Sequence, residues 1–148
     1  MDKQEKIVSM FDQIAGTYDI TNRVLSMGID KSWRKTAINK VLNLYNKNSI
    51  EIIADVACGT GDMMMYWEKY AQNRGIVVDD IIGVDPSVGM TDIGKTKLPN
   101  LTFKIASATK LPFENESVDI LSISYGIRNV MQRKEALEEF YRVLKPNG

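Results

Sequence analysis

The sequence contains no histidine and a single cysteine, Cys58, and each scarcity excludes a class of chemistry. One thiol cannot form a disulfide within the chain, and the absence of histidine removes His-based triads, a histidine general base and most zinc sites. We therefore predict no metal site. Any chemistry has to use carboxylates, hydroxyls, amides, arginine or a bound cofactor.

The sequence also lacks an excess of charge of one sign, because 19 Lys and Arg residues balance 19 Asp and Glu residues. No overall basic field is available to attract phosphate backbones, so we predict no nucleic-acid partner. Residues 1–6 are charged, and no long apolar run follows them. We accordingly expect neither a signal peptide nor a membrane span, and a cytoplasmic location.

The chain has 148 residues, of which 44% are hydrophobic, and this is enough for one domain with a core. We predict a helical segment over residues 1–48 and an α/β part over residues 49–148. Apolar residues at helical spacing predict two or three helices before residue 42, with breaks near Gly16 and Gly28. A polar stretch, residues 43–49, is expected to connect the two parts.

Short apolar runs alternate with helical patterns in the second part. Such alternation predicts βαβ units and a parallel sheet, which is a Rossmann-like α/β fold. The predicted strands are residues 50–57, 81–84, 101–106 and 118–124, and the predicted helices are residues 62–73 and 133–144.

The last residue, Gly148, comes where a doubly wound fold would enter its next strand. We therefore expect a truncated protein that lacks its C-terminal strands. An uncovered sheet edge and its apolar face favour self-association, so we also expect a homo-oligomer.

The strongest local signal is the glycine-rich turn in residues 55–62, between a predicted strand and a predicted helix. Gly59 and Gly61 permit close approach of a ligand, and the free amides of a helix N-terminus favour a negative group. A dinucleotide fingerprint would require a third glycine where the chain has Met64. S-adenosylmethionine carries no pyrophosphate and needs only the shorter turn, so we predict it as the cofactor.

Asp85 ends the second predicted strand, roughly 20 residues or somewhat more beyond the glycines, where a carboxylate accepts hydrogen bonds from ribose hydroxyls. Ser107 and Ala108 follow the third strand and are expected to border the adenine, while residues 124–129 follow the fourth. Because ligands bind beyond the carboxyl ends of parallel strands, these segments are expected to converge on one crevice. The alternative is that Asp85 is an ordinary turn carboxylate and that the others are plain loops.

Several motifs occur together and in order along nearly the whole chain. They are Phe11-Asp12, Tyr18-Asp19-Ile20-Thr21-Asn22, Leu25-Ser26-Met27-Gly28, Trp33-Arg34, the stretch from Ser122 to Val130, and Tyr141-Arg142-Val143-Leu144-Lys145-Pro146. In these motifs the sequence resembles the ubiquinone/menaquinone biosynthesis C-methyltransferases of the UbiE type. It departs from them at Thr21, Asp30 and Asn147, where the family usually has methionine, histidine and glycine. No catalytic role is therefore carried onto Asp30.

The resemblance implies methylation of a ring carbon of a polyprenylated hydroquinone, with peripheral contact at the inner face of the membrane that holds it. This chemistry needs no metal or histidine, because an electron-rich ring carbon attacks the sulfonium methyl once a phenolic proton is lost. The implied cofactor contacts are Thr60, Asp85, Ser107, Ala108 and Ser124. The implied catalytic residues on the quinol side are Tyr18, Asp19, Asn22, Tyr125, Arg128 and Asn129, with Arg128 stabilising phenolate charge or polarising a water.

Three other functions compete with this one. A methyltransferase for another small molecule would share the cofactor motifs, but it has no reason to carry the signature from Tyr18 to Trp33. A non-catalytic binding module is disfavoured by the intact Gly59, Gly61 and Asp85. A dehydrogenase is disfavoured by Met64.

Overall fold

A computed structural model describes residues 1–26 and 29–148 of the chain. Two helices precede an alternation of strands and helices, as the apolar pattern predicts. The elements are α1 (Lys3–Ser26), α2 (Ile29–Tyr45), β1 (Ser49–Val56), α3 (Asp62–Asn73), β2 (Val77–Asp85), α4 (Val88–Lys97), β3 (Thr102–Ile105), β4 (Ile120–Ile123), a 3-10 helix (Gly126–Asn129) and α5 (Arg133–Val143).

The strands form one parallel sheet in the order β3-β2-β1-β4. β1 is central, and it pairs Ile53 with Ile81 of β2 on one side and with Ile120 of β4 on the other. The predicted α/β class with a parallel sheet is confirmed. All four carboxyl ends lie at the same edge of the sheet, which is where the turns that carry the candidate site begin.

Alternate residues of β1 face two separate cores. Ile53 packs with Met64 and Trp67 of α3 on the face that α2 also covers. Ala54 and Val56 pack on the other face, in a cluster that includes Phe140 and Val143 of α5. Helices on both faces of a parallel sheet bury both sides of each central strand, and this accounts for the nearly continuous apolar runs in the sequence.

Met64 occupies the position of the third glycine of a dinucleotide fingerprint, and its side chain is fully buried against β2. The close approach of helix and strand is provided by Gly83 of β2. A side chain added at Gly83 would collide with the Met64 sulfur and would lie 2.7 Å from Cys58 Sγ. The small residue that allows close helix–strand packing therefore lies on the strand and not on the helix.

Two predicted boundaries in the first part of the chain are wrong. α1 continues through Gly16 without a break, and α2 extends to Tyr45, so that only residues 46–48 separate it from β1. A helical glycine costs about 1 kcal/mol relative to alanine, and in α1, a helix of 24 residues, this cost is too small to end the helix. The predicted break near Gly28 lies outside the described residues.

β2 is longer than the predicted residues 81–84, because Asp79 and Asp80 interrupt the apolar run without ending the strand. The ladder with β1 begins at the Ser49–Val77 pair, and Thr102 Oγ1 donates to Asp80 Oδ1. In the described part of the chain, no helix has the length and hydropathy required to cross a bilayer.

Asp119, just before β4, joins three parts of the chain. Its carboxylate accepts hydrogen bonds from the N–H groups of Glu51 and Ile52, from Tyr45 Oη at 2.6 Å and from Lys145 Nζ at 3.1 Å. Burial acts to raise the pKa of Asp119, but these hydrogen bonds outweigh it and hold the pKa below its usual value. Burial and Asp119 together raise the pKa of Tyr45 to about 12.

We expect Asp119→Ala to lower the free energy of unfolding by about 1–3 kcal/mol, because it leaves several partly buried donors without an acceptor. Asp92→Ala is the matched control, since its ion pair with Lys95 is exposed and its loss should change stability little. Urea unfolding of the two variants measures the difference. Equal stabilities would contradict a structural role for Asp119.

Candidate active site

A cleft with a volume of about 260 Å³ opens at the carboxyl ends of the strands. Its walls come from α1 and from the segments that follow each of the four strands. The predicted site residues that line it are Tyr18, Asn22, Gly59, Asp85, Ser107, Ala108, Ser124, Tyr125, Arg128 and Asn129. The structure therefore brings most of the predicted cofactor and quinol residues to one place.

Asp85 lies at the centre of this arrangement. One carboxylate oxygen accepts the N–H of Gly59 and the other accepts the N–H of Ser87, both at 2.9 Å. Burial raises the pKa of Asp85, the two backbone hydrogen bonds oppose that rise, and the nearby Asp12 adds to it. Each carboxylate oxygen keeps a second lone pair, so Asp85 can also accept ribose hydroxyls.

α1 is attached to the cleft through Asp12. The Asp12 carboxylate accepts from Ser87 Oγ at 2.6 Å and from the N–H of Gly89 at 2.9 Å. A Cβ added at Gly89 would lie 3.2 Å from the Asp12 carbonyl oxygen, which is a tight contact, so glycine allows α1 to approach the start of α4 closely. Asp12 belongs to the Phe11-Asp12 motif, but nothing in that motif indicates a contact with the start of α4.

A second attachment joins α1 to the glycine turn through a charged network. Thr60 Oγ1 donates to Asp19 Oδ1 at 2.6 Å, and Lys97 Nζ donates to Asp19 Oδ2 at 2.9 Å and to Asp62 Oδ1 at 2.6 Å. Burial acts to raise the pKa of Asp19, but Thr60 and Lys97 hold it below its usual value. Asp19 and Thr60 thus bind each other, and neither residue lines the main cleft.

Lys97 is a member of this network that the sequence analysis does not identify. Nothing in the residues around Lys97 indicates a contact with Asp19, which lies far away in the sequence.

Gly59 and Gly61 have different roles in the turn. Both have positive φ angles, +56° and +89°, which favour glycine. Gly59 lines the cleft. A side chain added at Gly61 would instead lie 2.8 Å from Leu98 Cδ1 and 2.9 Å from Phe103 Cζ, away from the cleft. Gly61 therefore serves the packing of the turn against α4 and β3, and it does not line the cleft.

The segment after β4 projects Tyr125 and Arg128 toward the opening of the cleft. Tyr125 has a φ of +57° and meets the Trp33 ring edge-on, with 5.4 Å between centroids. The Arg128 guanidinium lies over the Tyr125 ring at 5.3 Å. A positive φ at a non-glycine residue is strained, and here it directs an aromatic ring and a cation to one side of the cleft.

Asp55, the first residue of the glycine-rich turn, is buried at the end of β1. It accepts a hydrogen bond from Ser122 Oγ at 2.7 Å, and Ser122 in turn accepts one from Trp67 Nε1 at 3.0 Å. Burial raises the pKa of Asp55 to about 7, against the opposing effects of Ser122 and of the Arg34 charge. Asp55 is a functional candidate that we did not predict from the sequence.

Comparison with known proteins decides the family. The model of the ubiE/COQ5 methyltransferase family matches residues 1–148. The chain belongs to this family.

Two relatives show how far the similarity extends. The "Ubiquinone/menaquinone biosynthesis C-methyltransferase UbiE" of Campylobacter jejuni (strain 81-176) is 53% identical over 148 residues, which are all of this chain and 63% of that protein. A "Demethylmenaquinone methyltransferase" of Renibacterium salmoninarum is 40% identical over 149 residues and is covered to 58%. The chain thus spans a little under two thirds of the length of these curated relatives.

Solved structures confirm the predicted Rossmann-like methyltransferase fold. A putative S-adenosyl-L-methionine-dependent methyltransferase of Methanococcus maripaludis aligns with all of this chain and 62% of its own, with a TM-score of 0.68 and 16% identity. Phosphoethanolamine N-methyltransferase 1 of Haemonchus contortus, solved with phosphoethanolamine and S-adenosylhomocysteine, aligns over all of this chain and 32% of its own, with a TM-score of 0.74 and 15% identity. Family and fold support S-adenosylmethionine as the cofactor.

The raised pKa of Asp55 predicts a specific dependence of stability on pH. The pKa of Asp55 is 3.8 in the unfolded chain and about 7 in the folded protein. The folded protein therefore holds this proton more tightly, and the contribution of Asp55 to stability is fully present below pH 4 and is lost as the pH rises to 7. The contribution is at most about 4 kcal/mol. Urea unfolding of wild type and Asp55→Asn between pH 4 and 8 should show the variant gaining relative stability through this window. A constant difference would contradict a buried, protonated Asp55.

Proposed function

We propose that the protein transfers the methyl group of S-adenosylmethionine to a ring carbon of a polyprenylated hydroquinone. The observation that carries the proposal is the shared cleft, which most of the predicted cofactor residues and most of the predicted quinol residues line. The similarity to proteins named for ubiquinone/menaquinone biosynthesis and for demethylmenaquinone methylation supports this substrate class.

The cofactor fits the part of the cleft that lies against the sheet. Asp85 accepts the ribose hydroxyls, the buried Ala108 borders the adenine, and Gly59 admits the sulfur-bearing chain beside the turn. The cofactor supplies an electrophilic methyl group bound to sulfonium. The protein contributes position, because a nucleophilic carbon and this methyl group have to be held in line.

The quinol fits the part of the cleft between α1 and the segment after β4. Ile7, Val8 and Phe11 of α1 give this part an apolar wall that suits a prenylated ring. Arg128 provides a fixed positive charge where a phenolate would form, which favours loss of the phenolic proton and stabilises the charge as the carbon attacks. Tyr18, Asn22, Tyr125 and Asn129 add groups that can orient the hydroxyls.

A methyl acceptor of another chemical class is the competing proposal, because the cofactor residues would be unchanged. Transfer of labelled methyl to demethylmenaquinol and to the benzoquinol precursor, assayed with the full-length protein, separates the two. Labelling of either quinol supports the proposal and identifies the ring. Labelling of neither quinol by an enzyme that binds the cofactor would favour another acceptor.

We expect Asp85→Ala to weaken binding of S-adenosylhomocysteine by about 1–3 kcal/mol, because the ribose hydroxyls lose their acceptor. Asp79→Ala is the control, since Asp79 is exposed near the opposite end of the same strand. Calorimetric titration measures both affinities, and circular dichroism checks the fold. Unchanged affinity in a folded Asp85→Ala protein would remove Asp85 from the cofactor site.

We expect Arg128→Ala to leave the affinity for S-adenosylhomocysteine nearly unchanged and to lower methyl transfer in the full-length protein at least about 10-fold. Lys134→Ala is the control, because the Lys134 side chain is 91% exposed and makes only a long ion pair. Binding and turnover are measured on the same preparations. Equal loss of both would reassign Arg128 to cofactor binding or to the fold.

A further inference from the structure

Arg34 of α2 is a buried cation whose Nε lacks a hydrogen-bond partner among the described residues. The residue is 8% exposed, and its buried Nε makes no hydrogen bond to any residue in the ranges 1–26 and 29–148. The closest acid is Asp30, with 3.7 Å between Arg34 Nε and Asp30 Oδ2, and the Trp33 ring centroid lies 4.9 Å from Arg34 Cζ. A separation of 3.7 Å is too long for a hydrogen bond.

This arrangement is unfavourable unless another group completes it. Arginine stays charged in proteins, and buried polar groups are almost always hydrogen-bonded, because an unpaired one loses its hydration without compensation. The planar guanidinium matches a carboxylate, which it can bind through two parallel hydrogen bonds. The chemistry of the site therefore calls for an anion with the shape of a carboxylate.

The structure provides a space for that anion. Arg34 lines a small cavity of about 50 Å³ together with Gly59, Thr60 and two acids. Burial raises the pKa of one acid, Asp55, to about 7, and the other, Asp62, is paired with Lys97 at 2.6 Å. This cavity shares Gly59, Ser124 and other lining residues with the main cleft, so it continues the cleft past the glycine turn. A ligand whose ribose lies at Asp85 and whose chain passes Gly59 would direct its far end into this cavity.

We propose that Arg34 binds the carboxylate of the amino-acid end of the cofactor. The assignment rests on the proposed use of S-adenosylmethionine in the main cleft. It gives the Trp33-Arg34 motif a specific role: Arg34 selects a cofactor that carries a carboxylate over an adenosine derivative that lacks one. Asp30, which replaces the usual histidine, stays near enough to orient the guanidinium without occupying it.

Calorimetric titration with three ligands tests the assignment. The ligands are S-adenosylhomocysteine, its decarboxylated analogue, which keeps the amine, and 5′-methylthioadenosine, which lacks both charged groups. We expect wild type to bind S-adenosylhomocysteine roughly 10- to 100-fold more tightly than the decarboxylated analogue. Arg34→Met should abolish this preference while leaving the affinity for the decarboxylated analogue within about 2-fold of wild type.

Two further variants make the result specific. Lys35→Met removes an exposed positive charge from the same helix and should keep the full preference. Arg34→Lys keeps the charge but loses the planar fork, so it should retain part of the preference. If Arg34→Met does not fold, an intermediate preference for S-adenosylhomocysteine in Arg34→Lys supports the assignment.

The possible failures are distinguishable. A wild type that binds 5′-methylthioadenosine but shows no preference for the carboxylated ligand would overturn the role of Arg34 and leave the cofactor proposal intact. Arg34→Met would also overturn the role of Arg34 if it weakened the binding of all three ligands equally, or if it weakened the binding of none of them. A wild type that binds none of the ligands would overturn both proposals.

Discussion

The carboxylate of Asp85 holds together the two turns from which the site is built. By accepting the N–H of Gly59 and that of Ser87, it fixes the loop after β1 to the loop after β2 at the edge where parallel strands end. Ser87 in turn donates to Asp12, so α1 is positioned by the same centre. Because the two hydrogen bonds that Asp85 accepts are buried, the geometry of the cleft follows from satisfying them.

α1 differs from the rest of the fold in how it is held. Ala15 is its one buried residue among those described, so hydrogen bonds and ion pairs fix the helix more than apolar burial does. The Asp12 contacts and the network of Asp19, Thr60 and Lys97 are both partly accessible to water. Such contacts contribute less than core packing, so the wall of the cleft that α1 forms is held less strongly than the walls built on the sheet.

The local pattern of the sequence predicted elements and turns well, and long-range pairings poorly. α3 (Asp62–Asn73) has the predicted bounds, because a strand, a glycine turn and an amphipathic run all mark it. Gly16 lies within α1 because tertiary contacts override helix propensity. The bond between Asp19 and Thr60 and the burial of Arg34 without a hydrogen bond to its Nε depend on where α1 and α2 pack, which residue spacing along either helix does not encode.

A crystal structure of the protein with S-adenosylhomocysteine tests the central claim most directly. The account predicts ribose hydroxyls within hydrogen-bond distance of Asp85, adenine beside Ala108, and the ligand carboxylate on Arg34 beyond the glycine turn. Ligand bound elsewhere, or bound in the cleft with its ribose away from Asp85, would contradict the account.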